Sequence, residues 1–405
     1  MTEFSLSRRT LLTSAAVAAG ATAVTGGTAL AQEPVPGPEA LRAALDYAVS
    51  KVRVTGPAIT TFPEITRAEK WTYVADGGWV GGFWPGTLWM AYLDTEDEQF
   101  KQWALAAAER LSPRKDVARD HDMGFLFYPS WVTAWRLTGE AKWRDGAIKA
   151  ADGLIGRYNT AGRFIRAWGA LGTPNDAGRS IIDTMMNLDL LAFAGTETGD
   201  RKYLDIAVAH AKSTQQNFVR ADGSTPHVFD YNPTTGAPIG PNTVQGYSPT
   251  SAWSRGQSWA IYGFTTIHRR TGDASFLATA RKLADFALGQ LTPDNVPVWD
   301  YRAPQAPNDV KDSSAGAIMA AGLLDLAKVT GRTQYRDAAL RILHGLTRDC
   351  LTKKSTRAEA VLARGTRNRP SEDGVEVSLP YGDYYFMEAL LRVLKPTEIS
   401  RAIGL

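Results

Sequence analysis

The chain has 405 residues, 44% hydrophobic and 21% charged, a balance that excludes wholesale disorder and a fibrous protein. Its formal net charge of +3 is too near neutral for a dedicated nucleic-acid binder. One cysteine excludes an internal disulfide and a multi-cysteine zinc cage, and five histidines show no H-x-H or H-E-x-x-H spacing, so neither a metal nor another cofactor is expected.

The chain opens on an address. Ser7-Arg8-Arg9-Thr10-Leu11-Leu12 is a twin-arginine pattern, an Ala/Val/Gly/Thr-rich stretch follows, and Ala29-Leu30-Ala31 is a small-x-small cleavage site. The stretch carries too much Thr and Gly for a stable membrane anchor. These residues predict a signal peptide over 1–31, export by the twin-arginine route to the periplasm or medium, and a single catalytic domain over 32–405.

Beyond a helix predicted near residues 39–52, one short element recurs. It reads Thr95-Glu96-Asp97, Thr138-Gly139-Glu140, Thr198-Gly199-Asp200, Thr271-Gly272-Asp273 and Thr330-Gly331-Arg332. Three residues beyond each stands an aromatic: Phe100, Trp143, Tyr203, Phe276 and Tyr335. Apolar residues recur at helical spacing on both sides, as in 188–193 and 203–209. Gly suits a helix C-terminus, and the acid after it suits the next helix's first turn. Each unit therefore reads as a helical hairpin.

The first helix of each hairpin opens on a polar or aromatic cluster, at 82–86, 121–125, 182–187, 254–259 and 312–316, and a sixth cluster stands at 381–386. Six hairpins, the last completed by the N-terminal helix, predict an all-α fold, an (α/α)6 barrel. The tight turns would lie on one face and the six clusters on the other. A long loop, 221–252, rich in Gly, Pro, Asn and Thr, would lie beside the clusters.

Asp122 and Asp183 head helices of adjacent hairpins. An aspartate there is often an N-cap. Two carboxylates facing one cavity can instead divide acid and base roles, since the charge of one raises the pKa of the other. His121 and His227 flank the pair as candidate substrate contacts. Arg255, in Trp253-Ser254-Arg255-Gly256-Gln257-Ser258-Trp259, reads either as a cation–π packing residue or as a clamp for a carboxylate or sulfate. Gln245, Trp84, Trp168 and Tyr381 add stacking faces and polar donors suited to a sugar.

At these residues the chain resembles the unsaturated glucuronyl hydrolases, family 88 of the glycoside hydrolases. The matching stretches are 82–86, 121–125, 181–191, 253–259, 312–315 and 380–386, in order along the chain. The resemblance implies an (α/α)6 barrel. It also implies release of a 4,5-unsaturated uronic acid from the non-reducing end of lyase-generated oligosaccharides, by hydration of the C4=C5 enol ether. It assigns the acid/base role to Asp183 and the second essential carboxylate to Asp122. His227, Gln245, Arg255 and Trp259 match pocket contacts, as do Tyr381 and His121. An unsaturated rhamnogalacturonyl hydrolase and a non-catalytic sugar-binding toroid stand as alternatives.

Overall fold

The computed structural model describes Val35 and residues 37–404, so the predicted signal peptide lies outside the described residues. The five threonine turns close by one scheme. Thr271 Oγ1 donates to the Ile267 carbonyl at 2.7 Å and accepts the Asp273 N–H at 3.2 Å. Thr95, Thr138, Thr198 and Thr330 repeat both bonds. The next residue is left-handed, glycine in four turns and Glu96 in the fifth. The aromatic beyond each turn is buried, which contributes about 2–3 kcal/mol per ring and seats the returning helix.

The hairpins follow in chain order. Helix α1 spans Pro38–Thr55. Then come α2 (Phe83–Thr95) with α3 (Glu98–Glu109), and α4 (Met123–Phe127) running through a wider turn, Tyr128–Val132, into α5 (Thr133–Thr138), paired with α6 (Ala141–Ile155). Pro129, with no N–H to donate, sits in that wider turn. Next are α7 (Thr184–Thr198) with α8 (Lys202–Asn217), α9 (Ser254–Thr271) with α10 (Ala274–Gly289), and α11 (Ser313–Thr330) with α12 (Thr333–Asp349). Helix α13 (Pro380–Leu394) takes α1 as its outer partner, and α14 (Pro396–Ile403) ends the described chain.

Helices α2, α7, α9, α11 and α13, with α4 and its wider turn, touch in a closed inner ring, the (α/α)6 barrel. Inner helices meet neighbours on every side, so α13 is buried from Pro380 to Leu391. Outer helices bury one stripe, as α8 does with Tyr203, Ala207, His210, Ala211 and Thr214. Glycine permits close approach at the site end: a Cβ on Gly124 would lie 2.4 Å from the Asn187 Cα.

The all-α expectation needs one addition, three small antiparallel sheets. Strands β1 (Phe62–Arg67) and β2 (Lys70–Val74) form one, and β3 (Tyr158–Asn159) and β4 (Phe164–Ile165) another. The third orders β5 (Arg179–Ile181), β6 (Val228–Tyr231) and β7 (Pro238–Asn242) side by side. The predicted loop 221–252 thus carries two strands. Strand β7 reads Pro-Ile-Gly-Pro-Asn and lies at the sheet edge, where prolines are tolerated and strand propensity is weak.

Candidate active site

Strand pairing and helix starts converge at the cluster end of the barrel. Ile181 pairs with Val228, and the Ile182 N–H donates to the His227 carbonyl at 3.0 Å. That register sets His227 beside Asp183 at the start of α7.

Neither aspartate caps its helix, although each occupies the capping position. At α4 the reason is Asn187, one turn into α7. Its Oδ1 accepts the Phe125 N–H at 2.8 Å, a bond a capping Asp122 would otherwise make. The Asp122 carboxyl instead meets the Asn187 side chain and His121. Asp312 behaves oppositely: it accepts from the Ser314 and Ala315 N–H groups and caps α11.

Both carboxyls are buried and hold protons more tightly than usual. Burial pushes Asp183 up to about 7, against the opposing charge of Arg255. Burial, then the charges of Asp120 and Asp183, push Asp122 well above the carboxylate range. The like-charge effect therefore falls on Asp122, because Arg255 favours negative charge at Asp183.

A histidine attends each carboxyl. His121 Nε2 lies 3.3 Å from Asp122 Oδ1, and its Nδ1 is 2.7 Å from Thr184 Oγ1. His227 Nε2 lies 3.9 Å from Asp183 Oδ2. Burial drives His227 down to about 3 and His121 well below its ordinary value, so both rings are neutral.

The aromatic lining differs in part from expectation. Tyr381, Phe125 and Phe83 cluster around half-buried Trp79, whose ring centroid is 4.9 Å from that of Tyr381. Trp259 packs beneath on Phe125 at 4.9 Å, and Trp168 meets the His227 ring at 6.0 Å. The Tyr381 hydroxyl and the Trp259 Nε1 are buried without a partner. Trp84 is a correction. It is buried in the core and makes none of these ring contacts, since one helical step turns it away from Phe83.

Arg255 shows the packing contacts of its first reading. Its side chain is fully buried, its Nη1 bonds Asp312 and the Thr366 carbonyl, and its Nη2 bonds the Arg367 carbonyl. The guanidinium also lies over Trp253 and Tyr381, at 4.4 and 5.3 Å. Three of its four terminal N–H groups are thus taken by the protein, its Nε is buried without a partner, and its charge acts on Asp183. Half-buried Gln245 donates from Nε2 to the same Arg367 carbonyl at 2.9 Å.

Sequence reasoning missed Asn187, Trp79 and Asp120. Asn187 falls inside the 181–191 stretch and its in-helix position was the available signal; Trp79 stands three residues before the 82–86 cluster. Asp120 accepts the Asp122 N–H at 3.0 Å and adds its charge to the site. Among the described residues, no group of three or more His, Cys, Asp and Glu could hold a metal ion, and no helix is long and apolar enough to cross a membrane.

Comparison with known proteins gives a consistent picture. A sequence model described as Glycosyl Hydrolase Family 88 matches residues 51–361. An unsaturated chondroitin disaccharide hydrolase of Streptococcus pyogenes serotype M1 is 36% identical over 88% of this chain and 92% of its own. An unsaturated glucuronyl hydrolase of Bacillus sp. (strain GL1) is 37% identical over 82% of this chain and 90% of its own. The crystal structure of an unsaturated glucuronyl hydrolase from Streptococcus agalactiae superposes with a TM-score of 0.85 at 31% identity, covering 90% of this chain and 94% of the other.

Proposed function

Because the chain belongs to glycosyl hydrolase family 88, we propose that it releases a 4,5-unsaturated uronic acid from the non-reducing end of lyase-generated oligosaccharides. The observation that carries the assignment of roles is the pair of buried carboxyls, Asp122 and Asp183, with different proton affinities beside neutral histidines. A carboxyl with a pKa of about 7 can both give and take a proton near neutrality, so Asp183 is the acid/base. Asp122, pushed well above the carboxylate range by burial and by the charges of Asp120 and Asp183, is the second essential carboxyl and holds the sugar ring.

Asp183 protonates C4 of the enol ether. Positive charge develops at C5 and is shared by the ring oxygen. Water adds at C5 and returns a proton to Asp183. The resulting hemiketal opens and expels the rest of the oligosaccharide. No displacement occurs at the anomeric carbon, so the separation of the two carboxyls carries no stereochemical rule.

The enzyme is tested by loss of the ultraviolet absorbance of an unsaturated glycosaminoglycan disaccharide, with a rhamnogalacturonan-derived substrate alongside. Turnover of neither would overturn the assignment. Export by the twin-arginine route, with cleavage after Ala31, is the companion proposal, supported by Arg8, Arg9 and Ala29-Leu30-Ala31. Replacing both arginines by lysine should retain the chain in the cytoplasm with its leader uncut, and unchanged secretion would count against it.

A further inference from the structure

His227 is held on every side. Its Nδ1 accepts the backbone N–H groups of Val244 and Gln245, each at 3.1 Å. Its carbonyl takes the Ile182 N–H, and its ring lies against Trp253, with centroids 4.7 Å apart. Two donors on Nδ1 place the ring proton on Nε2. That Nε2–H is buried, has no partner, and faces Asp183 Oδ2, which is also buried and without a partner.

At 3.9 Å the two atoms stand just outside hydrogen-bonding range. A protonated carboxyl gains little from closing that gap. A carboxylate gains a charge-assisted bond and satisfies two buried groups at once. We propose that His227 is a positioning residue for Asp183: its Nε2–H receives Oδ2 as the carboxylate forms, leaving Oδ1 as the oxygen that gives and takes the catalytic proton. The inference rests on the hydration reading above.

In that reaction the Asp183 Oδ1–H bond breaks and the proton goes to C4. The C4=C5 π pair forms the new C4–H bond, and a ring-oxygen lone pair covers the charge at C5. The negative charge stays on Asp183, where His227 meets it. When water adds at C5, its proton returns to Oδ1 and the contact relaxes. Because the bond strengthens only as charge develops, it lowers the barrier rather than the substrate's binding energy. His227 itself does not take the proton, since its Nδ1 lone pair is occupied. The other groups facing Asp183 are Arg255 from α9, Tyr381 from α13 and Asp122 beside α4; Arg255, and Arg179 from β5, face His227.

Two variants separate the two ring nitrogens. His227→Asn keeps an acceptor near the Nδ1 position for Val244 and Gln245 but removes the Nε2 donor. His227→Gln keeps a donor near the Nε2 position. His227→Asn should lower kcat by roughly 10-fold, with KM changed less than about 3-fold, and should move the basic limb of the kcat profile up by about one pH unit, as loss of one charge-assisted bond requires. His227→Gln should return the limb toward its original position. A rise in KM with kcat and the limb unmoved in His227→Asn would make His227 a substrate contact and overturn the proposal. Nitrogen-15 NMR of the unaltered enzyme gives a measurement independent of variant folding. The His227 Nε2–H resonance should move as Asp183 ionises, and a resonance that stays fixed overturns the proposal. Asp183→Asn is the control for the parent reading. Near-normal kcat there removes the hydration roles themselves, whereas an inactive Asp183→Asn with an unmoved His227→Asn profile removes only this inference.

Discussion

Replacing Asp183 by Asn should slow the enzyme and stabilise it, and the stabilisation should depend on pH. In the folded protein burial holds this carboxyl at about 7, against an ordinary 3.8. Each unit corresponds to 1.36 kcal/mol, so ionising Asp183 in place costs ~4 kcal/mol more than ionising it in the unfolded chain. Below about pH 4 the group is protonated in both states and the cost is absent. Between about pH 4 and 7 the folded state binds more protons than the unfolded one, so stability falls as pH rises. Above about pH 7 the full penalty remains. Asn carries no charge and escapes it. With ~2.1 cal/mol/K of unfolding entropy per residue over roughly 370 residues, ~4 kcal/mol corresponds to a Tm gain of about 5 °C at pH 8. At pH 4 the two proteins should melt within about 1 °C of each other. Because turnover requires protonated Asp183, wild-type kcat should decline as pH rises through about 7. The variant's kcat should be down by roughly 10² or more. Thermal melts of both proteins across pH 4 to 8.5, with kcat on the same samples, check the argument. Parallel melting profiles would refute the burial cost, and near-wild-type turnover by folded variant would refute the catalytic role.

Arg255→Ala should destabilise the fold by about 3–5 kcal/mol in denaturant melts, because it removes the cation paired with the buried Asp312 carboxylate and leaves the Thr366 carbonyl without that donor; a change below about 1 kcal/mol would show that the pair is not structural. Asn187→Ala should cost about 1–3 kcal/mol and lower kcat, since the Phe125 N–H loses its acceptor and competes for Asp122; unchanged melting and kinetics would deny Asn187 that role. Thr271→Val, far from the site, should cost about 1 kcal/mol by removing both turn bonds while leaving kcat unaltered. Exhaustive chelation should leave turnover intact, and activity lost to EDTA and restored by one added metal would reveal a required ion.

The barrel was legible because its signals are local. A threonine that bonds within its own turn, a glycine in the left-handed region and an aromatic three residues on act over a few residues, and each carries its structure wherever it occurs. The same holds for inner helices α2 and α7, whose apolar residues run nearly all round. The three-stranded sheet was hidden because its edge strand has no strand propensity of its own and is held by register with β6. Local sequence also could not rank the polar residues. Asp122, Asp183 and Asp312 all stand just before inner helices, yet only Asp312 caps. At α4 the difference lies in Asn187, which takes the Phe125 N–H that a capping Asp122 would bind. Arg255 read equally as a packing residue or a ligand clamp until the fold showed Asp312 and the carbonyls of Thr366 and Arg367, more than a hundred residues away, taking most of its terminal N–H groups. A side chain's type sets what chemistry it can perform. Which partner claims it first depends on distances between chain segments far apart in sequence, and only packing of the barrel fixes those.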